Sequence, residues 1–175
     1  IGESMELDGE AFDQGGLEEV FVPRKKKTAM AGFRVKGEDQ DRVHLLLDLD
    51  AAIAVAGKLI MLPADEIRAS QKQAKLEGEL EDAFSEIANI ITGVINSTWH
   101  EAAPEQKRHF VKGNITVLAA KDDGSALPGG RQSVFSGRIL LNEKNLGGCQ
   151  MFFPHSLVAE PVEASADKSA QPQED

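Results

Sequence analysis

The feature that most constrains this chain is a run of helical periodicity between Leu80 and Trp99. At 3.6 residues per turn, a stripe about 100° wide carries only polar residues and glycine. Its members are Asp82, Ser85, Glu86, Asn89, Gly93, Asn96 and His100. The opposite side carries Leu80, Phe84, Ile87, Ile91, Val94, Ile95 and Thr98. This pattern predicts a long amphipathic helix that packs on a core.

The polar stripe lacks the charged pairs that usually cover a solvent-exposed helix face. It has no Lys or Arg, its Asn and Gly are poor helix formers, and Asp82 and Glu86 place like charges one turn apart. Two interpretations are open: an ordinary solvated face, or a functional surface that gives up helix stability. In the second, Glu86 can pair with a cation and the Asn89 amide can orient a water, which suits phosphoryl hydrolysis. Gly93 would let a partner's backbone come close.

The remaining pattern predicts an α+β fold. Short strand-like runs lie at residues 31–37, 41–49, 107–120, 133–142 and 149–154. An apolar run at 51–62 predicts a buried helix, capped by Asp50 and ended by Pro63. Residues 64–80 are polar and helix-prone, which fits a loop followed by a helix that runs into the amphipathic one. Because the strands are grouped, we expect an antiparallel sheet with two long helices packed on one face and the last three strands in a meander.

The net charge of −10 is concentrated at the two ends of the chain. Residues 1–23 contain acids and no Lys or Arg, residues 159–175 are also acidic, and the part between them is close to neutral. This argues against nucleic-acid binding, which needs a basic surface. The short basic run at 24–27 is interpreted as a solvated segment, with a membrane or nucleic-acid contact as the less favoured reading.

The composition divides the chain into three predicted parts. Residues 1–28 are expected to be a loosely ordered acidic and basic segment, residues 29–158 the folded domain, and residues 159–175 a disordered tail. The single cysteine, Cys149, excludes an internal disulfide and fits a reducing compartment. No apolar run reaches the length of a membrane span. We therefore expect a cytoplasmic protein without a membrane span.

Metal binding is not predicted from the sequence. The four histidines, His44, His100, His109 and His155, are scattered, and no Cys or acidic residue stands at a zinc-like spacing from them. Ordinary surface or strand histidines are the simpler interpretation.

The stretch "DAFSEIANIITG" resembles the signature of the CheC/CheX family of chemotaxis phosphatases. That signature has an Asp or Ser, then a Glu, then an Asn, and Asp82, Glu86 and Asn89 fill these places. The order of elements is also similar, so the resemblance covers residues 33–158 and is nearest to the CheX branch, which has one such signature. The Pro that ends the family signature has no counterpart here, and its place falls near Lys112.

The resemblance implies a phosphatase that hydrolyses the acyl phosphate of a phosphorylated CheY-like response regulator. Glu86 would dock a lysine of the regulator, Asn89 would orient the attacking water, and Asp82 would support the docking surface. Ser85, Gly93 and Asn96 would complete that surface. The resemblance further implies that Mg²⁺ belongs to the regulator, that this chain binds no cofactor, and that it forms a homodimer.

Two other functions remain open for the same fold. The first is a non-catalytic CheX-like adaptor or sensor that binds a signalling partner, which the missing Pro favours. The second is a structural part of the flagellar switch, whose FliY-type members share this fold.

Overall fold

A six-stranded sheet organises the computed structural model, which describes residues 5–158 of the chain. The strands are β1 (Met5–Gly16), β2 (Thr28–Val35), β3 (Val43–Asp48), β4 (Phe110–Leu118), β5 (Arg131–Leu141) and β6 (Lys144–Pro154). Their spatial order is β1-β5-β6-β3-β2-β4, and every neighbouring pair is antiparallel. The helices are α1 (Leu17–Val20), α2 (Leu49–Leu59), α3 (Ala64–Gln73), α4 (Glu79–Ala102) and α5 (His155–Val158). The predicted α+β class is confirmed.

The two long helices pack on one face of the sheet, as predicted. α2 is buried almost all round, since its short Ala side chains let it sit closely between the strands and α4. The core between helices and sheet contains Ile53 of α2, Phe84 of α4 and Phe33 of β2, each no more than 1% exposed. Burial of such side chains contributes roughly 1.5–3 kcal/mol each.

The other face of the sheet is covered by a second, smaller apolar cluster. Leu46 of β3 and Phe152 of β6 pack there with Leu127 and the partly buried Phe21. Successive strand residues point to opposite faces, so Leu45 and its alternate neighbours face the helices while Leu46 faces this cluster. Burial on both faces explains why the β3 sequence is apolar without alternation.

The first strand differs from the loosely ordered segment predicted for residues 1–28. Met5–Gly16 pairs with β5 along its length and forms one edge of the sheet, with a register shift between Gly9 and Ala11. Its acidic, glycine-bearing sequence resembles an unfolded segment because an edge strand presents much of its surface to solvent. The tail predicted for residues 159–175 lies outside the described residues.

The prediction that the last three strands form a meander is wrong. β5 and β6 form a hairpin, but β4 pairs with β2 at the opposite edge of the sheet. Local sequence cannot distinguish these arrangements, since both use the same strand-like runs. This placement brings β4 alongside α4.

Helix boundaries in the middle of the chain also differ from the predictions. α2 begins at Leu49 and is preceded by Asp48, so Asp50 lies inside its first turn instead of capping it. The polar stretch after Pro63 forms a separate helix, α3, which ends at Gln73 and is followed by Ala74 with a left-handed φ of 50°. A loop then leads to α4.

Candidate functional site

α4 is the predicted amphipathic helix and carries the candidate site. It begins after Gly78, whose φ of 61° favours glycine. Glu79, Glu81 and Asp82 lie in its first turn, where the partial positive charge of the helix N-terminus stabilises carboxylates. This offsets the like-charge repulsion between Asp82 and Glu86.

Glu86 and Asn89 lie side by side on the solvent-exposed surface of α4. Both are exposed, and Nδ2 of Asn89 donates a hydrogen bond to Oε2 of Glu86 at 3.1 Å. Gly93, one turn further on, is exposed, and a Cβ added there would meet no atom within 4 Å. Asp82 is exposed at the other end of the stripe. These four predicted site residues therefore share one open face.

The Asn96 side chain is not available on this open face, because its amide joins α4 to β4. Its Nδ2 donates to the Phe110 carbonyl oxygen at 2.9 Å, and its Oδ1 accepts from the Phe110 N–H at 2.7 Å. Phe110 is fully buried and packs edge-to-face against Trp99, with ring centroids 5.4 Å apart. The Asn96 side chain thus has a structural role between helix and strand.

Ser85 also contacts β4, through a residue that the sequence did not single out as part of the site. Nζ of Lys112 donates a hydrogen bond to Oγ of Ser85. In the sequence, Lys112 stands out only by its position near the place of the missing Pro. No signal in the local sequence could have identified this contact, which joins positions 27 residues apart.

An apolar surface borders the polar stripe, contrary to one part of the helix prediction. The helical periodicity predicts that Val94 and Thr98 face the core, but both are exposed, Val94 by 59%. Ile90 is 55% exposed beside them. Val94 lines an apolar groove of about 400 Å³ between α4 and the β5–β6 hairpin, where Phe135 and Met151 form the floor. The helices leave this part of the sheet uncovered.

The histidines belong to no metal-binding group of three or more side chains in the part of the chain that the structure describes. Within residues 5–158, no three His, Cys, Asp or Glu side chains come together in a way that could hold a metal ion. His44 is buried beneath the other face of the sheet, and this burial lowers its pKa from the ordinary 6.5, against the opposing effect of Asp41.

None of the helices within residues 5–158 combines the length and the apolar composition that a membrane-spanning helix needs.

Comparison by sequence identifies no relatives: no family model matches the chain, and no curated protein matches it significantly. Comparison by structure identifies similar solved structures. FliY from Thermotoga maritima is similar with a TM-score of 0.62 at 12% identity, covering 89% of this chain and 79% of that chain. FliM from H. pylori, in a FliG–FliM complex, gives a TM-score of 0.60 at 10% identity, covering 86% and 78%.

The chemotaxis protein CheX from Vibrio vulnificus is also similar. Its TM-score is 0.51 at 15% identity, and the match covers 84% of this chain and 83% of that chain. At such low identity these likenesses concern the fold. The CheC/CheX-like fold predicted from the residues around Glu86 and Asn89 is confirmed.

Proposed function

We propose that this chain, which has the fold common to CheX, FliY and the FliM middle domain, is a phosphatase of a phosphorylated CheY-like response regulator. The observation that carries the proposal is the exposed side-by-side arrangement of the Glu86 carboxylate and the Asn89 amide on α4. These two side chains hydrogen-bond to each other, whereas the Asn96 amide joins α4 to β4. The open surface at Gly93 leaves room for a partner to approach.

The Glu86–Asn89 hydrogen bond suggests how docking prepares the site. In the free protein, Asn89 donates its amide N–H to Glu86. Because the Glu86 carboxylate has two oxygens and accepts several hydrogen bonds, it can pair with a regulator lysine and keep the Asn89 amide in position. The amide oxygen and the second N–H of Asn89 then stay available to hold a water.

The reaction is hydrolysis of an aspartyl phosphate. The oxygen of the water held by Asn89 forms a bond to phosphorus while the bond from phosphorus to the regulator's carboxylate oxygen breaks. That carboxylate leaves with the electron pair, and one water proton ends on the phosphate product or in solvent. Holding the water in line accounts for the main catalytic effect. We propose that the Mg²⁺ that neutralises the phosphoryl charge belongs to the regulator, and that this chain binds no cofactor.

A phosphate-release assay tests the proposal. A purified CheY-like regulator is phosphorylated with a small acyl-phosphate donor, freed of donor, and allowed to decay with the native protein, with Asn89→Ala, or alone. We expect the native protein to accelerate decay and Asn89→Ala to lose most of this acceleration. Gln73→Ala removes an exposed amide from α3 and serves as the matched control. Equal rates of phosphate loss from the regulator with and without native protein would contradict the proposal.

A second candidate is a non-catalytic module that binds a signalling or flagellar partner through the same face of α4. The likeness to the FliM middle domain favours it, since one of the similar structures is FliM in complex with FliG. In this case the regulator activated with beryllofluoride would bind to the protein. The phosphorylated regulator would nevertheless lose its phosphate at the unassisted rate. These two measurements on one purified protein therefore separate the two functions.

The proposed assembly is a homodimer formed through the sheet. β1 and β4 are the two edges, each paired on one side alone within residues 5–158. An unpaired strand edge offers backbone donors and acceptors to a second copy. Sedimentation equilibrium would test this, and a monomer at all concentrations up to the millimolar range would contradict it.

A further inference from the structure

Lys112 of β4 places a cation next to the candidate site. Its Nζ donates a hydrogen bond to Ser85, which precedes Glu86 in the polar stripe of α4. Residues four apart on a helix have Cβ atoms roughly 5–6 Å from each other. The ammonium group bound at Ser85 therefore lies about one helical turn from the amide of Asn89.

The backbone of Lys112 is fixed relative to α4. Lys112 pairs with Phe33 of β2, and two residues earlier Phe110 is joined to Asn96 by two hydrogen bonds. The flexible stem of the lysine thus starts from a rigid strand. The Lys112 ammonium group can therefore move between Ser85 and a nearby ligand while the Lys112 backbone stays in place.

The charge of Lys112 is not neutralised by a carboxylate partner. Among the residues that the structure describes, its contact is a neutral hydroxyl, and no Asp or Glu lies within ion-pair distance of it. α4 itself contains acids and no Lys or Arg. Lys112 therefore places a positive charge against the stripe that carries Glu86 and Asn89.

We propose that Lys112 is a further catalytic residue, whose ammonium group binds an oxygen of the phosphoryl group as the phosphorus–oxygen bond to the regulator breaks. The inference rests on the proposed phosphatase function and adds a residue to it. Negative charge is spread over the three phosphoryl oxygens in that transition state, and Lys or Arg side chains stabilise it.

The test uses Lys112→Met and Lys112→Gln, two variants that keep most of the stem and remove the charge. We expect the maximal rate of regulator dephosphorylation to fall roughly 100-fold or more, in line with the loss of one charge-stabilising donor. The regulator concentration at half-maximal rate should change less than twofold. Lys112→Arg should recover a substantial part of the rate. Lys144→Met removes an exposed lysine from β6 and serves as the control.

Three results would overturn the inference. In the first, native protein and both charge-removing variants accelerate decay equally, in which case the proposed function stands and the role of Lys112 does not. In the second, Ser85→Ala lowers the maximal rate as much as Lys112→Met, which would mean that the lysine acts by tying β4 to α4. In the third, the half-saturating concentration alone changes, which would make Lys112 a docking residue. A native protein without activity would instead overturn the proposed function itself.

Discussion

Asn96 and Phe110 are joined by two hydrogen bonds, in which one side-chain amide satisfies both the N–H and the carbonyl oxygen of one backbone residue. The two bonds, at 2.9 and 2.7 Å, hold α4 against the first residue of β4. Asn96 therefore differs from Asn89, although both lie in one polar stripe. The first amide stabilises the framework, and the second faces solvent beside Glu86.

Asn96→Ala should destabilise the protein. The substitution leaves backbone groups of the buried Phe110 without their partner, which costs roughly 1–3 kcal/mol. Urea unfolding followed by far-UV circular dichroism measures the change. Ser97→Ala, at an exposed neighbouring position, should stay within about 0.5 kcal/mol of the native protein. Equal midpoints for the two variants would contradict the structural role of Asn96.

Gly93→Ala should raise stability and lower activity together. A Cβ at this position meets nothing in the protein, and alanine is favoured over glycine in a helix interior by about 1 kcal/mol. The added methyl group would, however, stand on the face where a partner approaches. Urea unfolding and the dephosphorylation assay measure the two effects. A stabilised variant with unchanged activity would show that the partner does not come close at Gly93.

Glu86→Gln should weaken docking more than chemistry. The amide can still hydrogen-bond but no longer pairs with a regulator lysine, so the half-saturating regulator concentration should rise about tenfold, equivalent to 1.4 kcal/mol. The difference from native protein should shrink at high salt, since exposed charges are screened. Glu101→Gln, an exposed acid at the far end of α4, is the control. A salt-independent loss of maximal rate would contradict a docking role.

His44 should make stability fall at acidic pH. Burial lowers its pKa in the folded state below the 6.5 of the unfolded chain, so the unfolded chain binds more protons as the pH falls. The contribution of neutral His44 is complete above pH 6.5 and is lost as the pH falls through 6.5 toward the folded-state value. Urea midpoints measured between pH 8 and pH 5 should therefore decline less steeply for His44→Gln than for native protein. Parallel declines would contradict this.

The sequence alone determined the long helix and the face that carries Glu86 and Asn89. Helical periodicity is a local property, since residues three and four apart meet through the backbone geometry alone. The same reasoning found the buried α2 helix and the α+β class. It missed the first strand, because Met5–Gly16 gains its structure from pairing with β5 and its own composition is that of a solvated segment.

Only the tertiary structure decided which polar side chains of that face are free. Ser85 and Asn96 look equivalent to Asn89 on a helical wheel, yet both are engaged by β4, which pairs with β2 and not with the strand that follows it. Contacts between positions 14 and 27 residues apart depend on the order of strands in the sheet. Strand order is set by the packing of the whole core, and no short stretch of sequence encodes it.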